Sequence, residues 1–347
     1  MELTGFALRD RTRRALGRRF EELGWGPRET PSRVVFSTPG VRLKEYRERG
    51  AGPVLLLVPA PIKRAYIWDL APGASVVRRA QAAGCRVFLL EWGAPGEAAG
   101  GLADYADRML GACVEAVAVR TGEARVFIAG HSLGGTLAAI FATLHGERVR
   151  GLVLLGAPLH FDAGSDVFAP LLARADLAQL AAGEVPGSFL NAVTFMAAPL
   201  TIGWAPWLDR CASLADRGLR DTLMRVNRWA HDEMPLAGRL VAEVVQRLYR
   251  EDALMRGTLT IGGRRADPTR LDAPVLGVAD PRCALVPPSS VAPFLDAVAS
   301  ADVQLIAYHG DRGVLLQHVG MLVGRAAHRE LWPRILDWLH TRARGAN

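Results

Sequence analysis

A chain of 347 residues with half of them apolar and 22% charged can bury a substantial core, and this balance excludes the charged, apolar-poor composition of a disordered protein. The formal net charge of +7 comes from arginine, because lysine stands only at Lys44 and Lys63; the arginines are spread along the chain with no aromatic-interleaved basic stripe, so nucleic acid is not an expected partner. Four separated cysteines, Cys85, Cys113, Cys211 and Cys283, provide neither a disulfide framework nor zinc-ligand spacing, and the expectation is a protein of the reducing cytoplasm with no metal and no bound cofactor.

The segment Met1 to Glu22 mixes arginines and acids with its apolar residues and lacks the unbroken apolar stretch of an export signal. No later run approaches the roughly 20 apolar residues needed to cross a bilayer, so no transmembrane span is expected. Arg33 to Phe36 and Val41 to Tyr46, joined by Thr38-Pro39-Gly40, predict a β-hairpin. Three apolar runs follow, Val54 to Val58, Arg86 to Leu90 and Arg125 to Ala129, with a fourth at Gly151 to Leu155. Continuous rather than alternating apolar residues predict strands buried on both faces, as in a parallel sheet. Helical patterns at Ser75 to Ala83 and Leu102 to Thr121 lie between them, and the alternation predicts a doubly wound α/β arrangement. From 160 to 271 the chain changes to helical stretches rich in Leu, Ala, Met and Trp, broken by Pro170, Pro186, Pro199, Pro206 and Pro235. The α/β rhythm returns with Pro274 to Ala279, Val303 to Tyr308 and a last helix around Leu331 to Arg342. The expected organisation is a core of residues 1–159 and 272–347 interrupted by a helical cap of residues 160–271.

The chemistry centres on Gly130-His131-Ser132-Leu133-Gly134, a G-x-S-x-G segment with a buried strand before it and a helical pattern after it. A sharp strand-to-helix turn lifts such a serine clear of the sheet, and the flanking glycines leave room for the strained backbone. This context predicts the α/β-hydrolase fold with Ser132 as nucleophile. A serine hydroxyl needs a base and oxyanion donors. The N–H of Leu133 is the expected first donor, and Ile62, in the loop Pro59-Ala60-Pro61-Ile62 after the first core strand, is the expected second, since Pro61 has no N–H. In this fold the chain order is nucleophile, acid, histidine, which selects His318, beyond the last predicted strand and before the final helix, as base. Asp280, the carboxylate in the loop after Pro274 to Ala279, is the expected acid that orients the imidazole, with a turn-forming role as its alternative.

Further segments carry a family likeness. They are Val58 to Ile62, Tyr66 to Leu70, Leu90-Glu91-Trp92-Gly93, Asp104-Tyr105 to Cys113, Val185-Pro186-Gly187, Arg228-Trp229, Leu248-Tyr249, Gly262-Gly263-Arg264, Leu285-Val286-Pro287-Pro288, His318-Val319-Gly320 and Trp332-Pro333 to Trp338-Leu339. Together with the elbow at Gly130 to Thr136, they resemble polyhydroxyalkanoate synthases, especially the short class that works with a second subunit. The resemblance runs from about residue 33 to the C-terminus. It implies acyl transfer from a coenzyme A thioester and a cysteine nucleophile where this chain has Ser132. An ungapped match also puts Cys283, not Asp280, at the family's aspartate position. The acid is then Asp280 in a reshaped loop, Asp311 in the segment His309 to Gln317, or absent.

Serine forms an oxygen ester, less activated toward the next acceptor than a thioester, so a single transfer is expected in place of polymer growth. The first expectation is a serine-dependent acyltransferase that takes an acyl group from a thioester of coenzyme A or an acyl-carrier protein and passes it to an alcohol or amine. An esterase, thioesterase or polyester hydrolase is the alternative, and an inactive, synthase-like binding subunit is a third. A second subunit or a homodimer is an expected partner. The arginine excess fits codon usage first and an anionic donor second. In the cap, Trp204, Trp207, Phe195 and Met196 are either acyl-pocket lining or helix core, and His231-Asp232 beside Trp229 either faces the substrate or secures a helix end.

Overall fold

The structure, a computed structural model, describes residues 3–46, 52–96, 100–161, 167–199, 211, 214, 216–311 and 318–344. Its centre is an eight-stranded sheet: β1 (Ser32–Thr38), β2 (Val41–Tyr46), β3 (Val54–Val58), β4 (Arg86–Trp92), β5 (Val126–His131), β6 (Val149–Leu155), β7 (Val275–Ala279) and β8 (Val303–Ala307). Their order is β1-β2-β4-β3-β5-β6-β7-β8. The hairpin β1–β2 and the β2–β4 pair are antiparallel, and every other pair in the sheet is parallel. Gly40 makes the hairpin turn at φ 87°, a conformation that favours glycine.

The continuous apolar runs are explained by two layers of helices. Leu56 and Val58 of β3, Ile128 of β5 and Leu152 and Leu154 of β6 belong to one core, with Leu110, Cys113 and Val117 of the helix Leu110–Thr121. Their strand neighbours Leu55, Leu57, Phe127, Ala129, Val153 and Leu155 belong to the other, with Val76 and Ala80 of the helix Val76–Ala82 and with Trp332, Ile335 and Leu339 of the C-terminal helix Trp332–Arg344. Strand side chains alternate between faces, so only a sheet covered on both sides makes every position apolar.

Between β6 and β7 the chain runs through the helices Ala169–Leu172, Leu177–Ala181, Gly187–Ala197, Arg217–Ala230 and Gly238–Glu243. Leu180, Val185, Leu236, Leu240 and Leu248 from this stretch share the first core with the sheet. The stretch is not wholly helical: Leu259–Ile261 pairs with Arg264–Ala266 in a small antiparallel hairpin. Gly262 and Gly263, at φ 54° and 79°, form the two-residue turn, because a turn with φ positive at both central positions matches the strand twist.

The N-terminal helix Leu3–Phe20 docks against this helical stretch. Buried Asp10 accepts from the N–H groups of Gly187 (3.0 Å) and Ser188 (2.8 Å), satisfying two donors that the first turn of Gly187–Ala197 leaves unpaired. Glu233, fully buried, then ties three segments together: it meets Arg13 Nε at 2.6 Å, Lys63 Nζ at 2.6 Å and Asn191 Nδ2 at 2.7 Å. A buried carboxylate requires such pairing to be tolerated. Among the described residues no helix is long and apolar enough to cross a membrane.

Candidate active site

β5 ends at His131 and the helix Leu133–Leu144 begins immediately after Ser132. Ser132 therefore occupies the corner, with φ 54° and ψ −134°, a strained conformation for a non-glycine residue that surrounding structure has to impose. Its N–H donates to Leu155 O at 3.0 Å, and its carbonyl accepts from Gly135 N (2.8 Å) and Thr136 N (3.2 Å). The two motif glycines are sterically required. A Cβ at Gly130 would lie 2.5 Å from Gly135 Cα, and one at Gly134 would lie 2.5 Å from the backbone of Pro59 and Val58.

A cavity of about 630 Å³ opens above this corner. Ser132, Leu133, Ile62 and His318 all line it, so four of the five residues expected from the sequence share one wall system. Leu133 opens its helix, which leaves its N–H without an intrahelical partner and aligned with the positive end of the helix dipole. Ile62 lies in the turn after β3, where Pro59 O is held by Trp92 Nε1 at 2.7 Å. The walls are largely apolar, with Trp68, Phe161, Leu240 and Tyr249, and the positive residues Arg9, Arg13, Lys63 and Arg64 also face the cavity. Arg9 and Arg13 come from the N-terminal helix, a segment whose sequence carries no motif beyond two arginines one turn apart.

His318 is buried, 8% exposed. Burial, reinforced by the neighbouring His131, holds its imidazole well below the usual histidine range, so the ring is neutral. His131, the residue before the elbow serine, donates from Nε2 to His318 O at 3.0 Å, and the two rings lie 4.5 Å apart. Burial pushes the His131 pKa down to about 4, so this positioning contact is also uncharged. Through this contact His131 holds the loop that carries His318, a role that no local sequence signal marks. The other histidines with clear partners are engaged elsewhere: His145 with Asp107, His160 with Asp252, His340 with Ala83 O.

The structure does not bring Asp280 to His318. Asp280 is fully buried; its Oδ1 accepts from Arg282 N at 2.8 Å, and its Oδ2 has no hydrogen-bond partner among the described residues. The carbonyl of Asp280 receives Cys283 N at 3.0 Å. Asp280 thus closes a turn through its side chain, the alternative reading of an Asp-Pro step. The atom facing His318 Nδ1 is instead Cys283 Sγ, at 3.9 Å. Asp311 is also occupied elsewhere: its Oδ2 accepts from Tyr308 Oη (3.0 Å), Ala326 N (2.6 Å) and Ala327 N (3.2 Å). Residues 312–317 lie outside the described residues.

Of the aromatic and methionine candidates, Phe195 and Met196 line the cavity, while Trp204 and Trp207 lie outside the described residues. His231 bonds back to Asn227 O at 2.7 Å, and Asp232 pairs with Arg228 at 3.1 Å, so both secure the end of Arg217–Ala230. Their neighbour Trp229 lines the cavity and donates to Arg64 O at 2.8 Å.

A family model described as alpha/beta hydrolase fold matches residues 53–194. Among curated proteins the chain is homologous to poly(3-hydroxyalkanoate) polymerase subunits PhaC. It is 29% identical to that of Haloferax mediterranei over 91% of this chain and 65% of the relative, and thus spans just under two thirds of it. It is 28% identical to that of Synechocystis sp. over 90% of this chain and 85% of the relative. Among solved structures it resembles a hydrolase from Pseudomonas aeruginosa (TM-score 0.52, 17% identity, 89% of this chain and 98% of the other). It also resembles the enol-lactonase from Burkholderia xenovorans (TM-score 0.51, 16% identity, 89% and 99%). Together with the strand order, these establish the α/β-hydrolase fold.

Proposed function

We propose that the protein is a serine-dependent acyltransferase of synthase-like architecture, in which residues 160–271 form the cap over the acyl site. The observation that carries this reading is the strained Ser132 at the strand-to-helix corner, on the same cavity as neutral His318. In the first half-reaction Ser132 Oγ attacks the thioester carbonyl carbon and its proton passes to His318 Nε2, the ring nitrogen turned away from Cys283. The N–H groups of Leu133 and Ile62 stabilise the oxyanion. The C–S bond then breaks, and the departing thiolate takes the proton. In the second, an alcohol or amine gives a proton to His318 Nε2 as it attacks the acyl-serine, and Ser132 leaves with that proton.

Homology to polymerase subunits that the chain matches over most of its length supports a thioester donor, of coenzyme A or a carrier protein, and a second subunit or second copy as partner. Arg9 on the cavity wall supports an anionic donor, while Arg13 and Lys63 there are paired with Glu233. Serine at the nucleophile position supports one transfer per acyl group in place of chain growth. The test is product analysis with a panel of acyl-coenzyme A thioesters, with and without an alcohol or amine acceptor. Ester or amide formed in excess of free acid supports transfer. Free acid alone, unchanged by acceptor, assigns the protein as a thioesterase, and no turnover with any donor points to a binding subunit.

A further inference from the structure

The base of this site has a sulfur neighbour where a charged orienting group would stand. Cys283 Sγ lies 3.9 Å from His318 Nδ1, and Cys283 is buried, 5% exposed. The turn that presents it is fixed from within: Asp280 Oδ1 holds Arg282 N and Asp280 O holds Cys283 N. Behind the imidazole, a Cβ at Gly156 would lie 2.9 Å from His318 Cε1 and 3.0 Å from Nδ1, so the ring is enclosed on that side as well. Among the described residues, no carboxylate is hydrogen-bonded to or ion-paired with the His318 ring.

We infer that Cys283 is the positioning residue for His318, orienting the ring through an uncharged contact, so that the imidazolium formed as Ser132 attacks lacks the stabilisation that a carboxylate at this position would give. This rests on the reading of Ser132 and His318 as nucleophile and base. A thiol is a weak hydrogen-bonding group that offers a contact for Nδ1–H and leaves Nε2 free for the serine proton. It does not offset the positive charge that develops on the ring during attack, as a carboxylate does. The imidazolium forms in both half-reactions, as Ser132 attacks the thioester and as the acceptor attacks the acyl-serine, so the lack of a carboxylate partner slows both.

The test compares wild type, Cys283→Asp and Cys283→Ala for acylation of Ser132 by a thioester and by the alkyl ester of the same acid, across pH, with the nitrogen-15 spectrum of His318 recorded alongside. Installing a carboxylate is expected to raise the acylation rate at least about tenfold with either donor. It should also move the acid limb of the profile and the His318 titration to higher pH. Cys283→Ala is expected to lower acylation severalfold for both donors at unchanged KM and to broaden the Nδ1/Nε2 tautomer signals. An unchanged acylation rate in Cys283→Asp, or an unchanged His318 titration in both variants, overturns the inference. Failure of wild type to acylate with either donor overturns instead the reading of Ser132, and the spectrum still reports whether Cys283 orients the ring.

Discussion

Two sides of the cavity are built on different principles. On the Ser132 side, position is set by backbone: Ser132 is locked by hydrogen bonds to Leu155, Gly135 and Thr136, and by glycines whose missing Cβ atoms let the corner close onto Pro59 and Val58. On the His318 side, the neighbours are side chains of low charge: His318 accepts a bond from neutral His131 at its carbonyl, is buried, and has the thiol of Cys283 facing Nδ1. The first side tolerates no change of shape. The second is closely packed too, against Gly156, but it is the side that a change of charge should alter most. Strain is stored where the geometry is over-determined, and the His318 side carries little charge.

The largest effect expected from breaking this contrast is loss of the base. His318→Ala should lower the acylation rate by about 10⁴-fold or more, by analogy with nucleophile–base units that act together, while thermal unfolding shows the fold retained. A variant that acylates within tenfold of wild type removes His318 from the chemistry. Next is the shape of the corner. Gly134→Ala should cost about 3 kcal/mol of stability, because the new Cβ meets rigid backbone on which overpacking cannot relax. Denaturant unfolding measures this, and a cost under 0.5 kcal/mol contradicts the close contact with Pro59.

Acid pH sharpens the comparison from the charge side. The pKa of His131 in the folded protein is pushed to about 4, from an ordinary value of 6.5. Between those values the unfolded chain binds a proton that the folded chain refuses, so stability is full above about pH 6.5 and declines as pH falls toward 4. His318, also held low by burial, contributes in the same direction. For catalysis the sign is the reverse of a penalty: the base stays deprotonated, so the acid limb of the acylation profile should lie below the range of an ordinary histidine. A limb centred near 6.5 contradicts neutral burial. The smallest effect expected is that of Asp280→Asn, which keeps the turn-closing acceptor for Arg282 N. Acylation should change less than about threefold, whereas a triad carboxylate at this position would make the loss orders of magnitude larger.

The difference between the two sides also explains what was legible in the sequence. The sheet strands, the elbow and the placing of His318 follow from local signals: continuous apolar runs, a glycine pattern between strand and helix, and chain order. The partner of His318 does not. Asp280 and Cys283 are three residues apart in one loop, and which of them faces the ring depends on whether Asp280 spends its side chain closing the turn, a choice made by tertiary packing. His131 was hidden for a related reason, since its contact with His318 O spans 187 residues. The Arg9 and Arg13 contribution to the cavity was equally non-local, because it depends on Asp10 docking the N-terminal helix onto Gly187 and Ser188. The hairpin at Gly262–Gly263 was within reach of local reasoning, since paired glycines between short β-prone runs are a turn signal; the surrounding helical pattern obscured it.

The central claim is that Ser132 carries the acyl group. Intact-protein mass spectrometry after rapid mixing with an acyl thioester tests it most directly, with Ser132→Ala and Cys283→Ala run in parallel. The expected result is an adduct of acyl mass on wild type and Cys283→Ala that is absent from Ser132→Ala. An adduct retained in Ser132→Ala, and lost in Cys283→Ala, would contradict the account and place the nucleophile on sulfur.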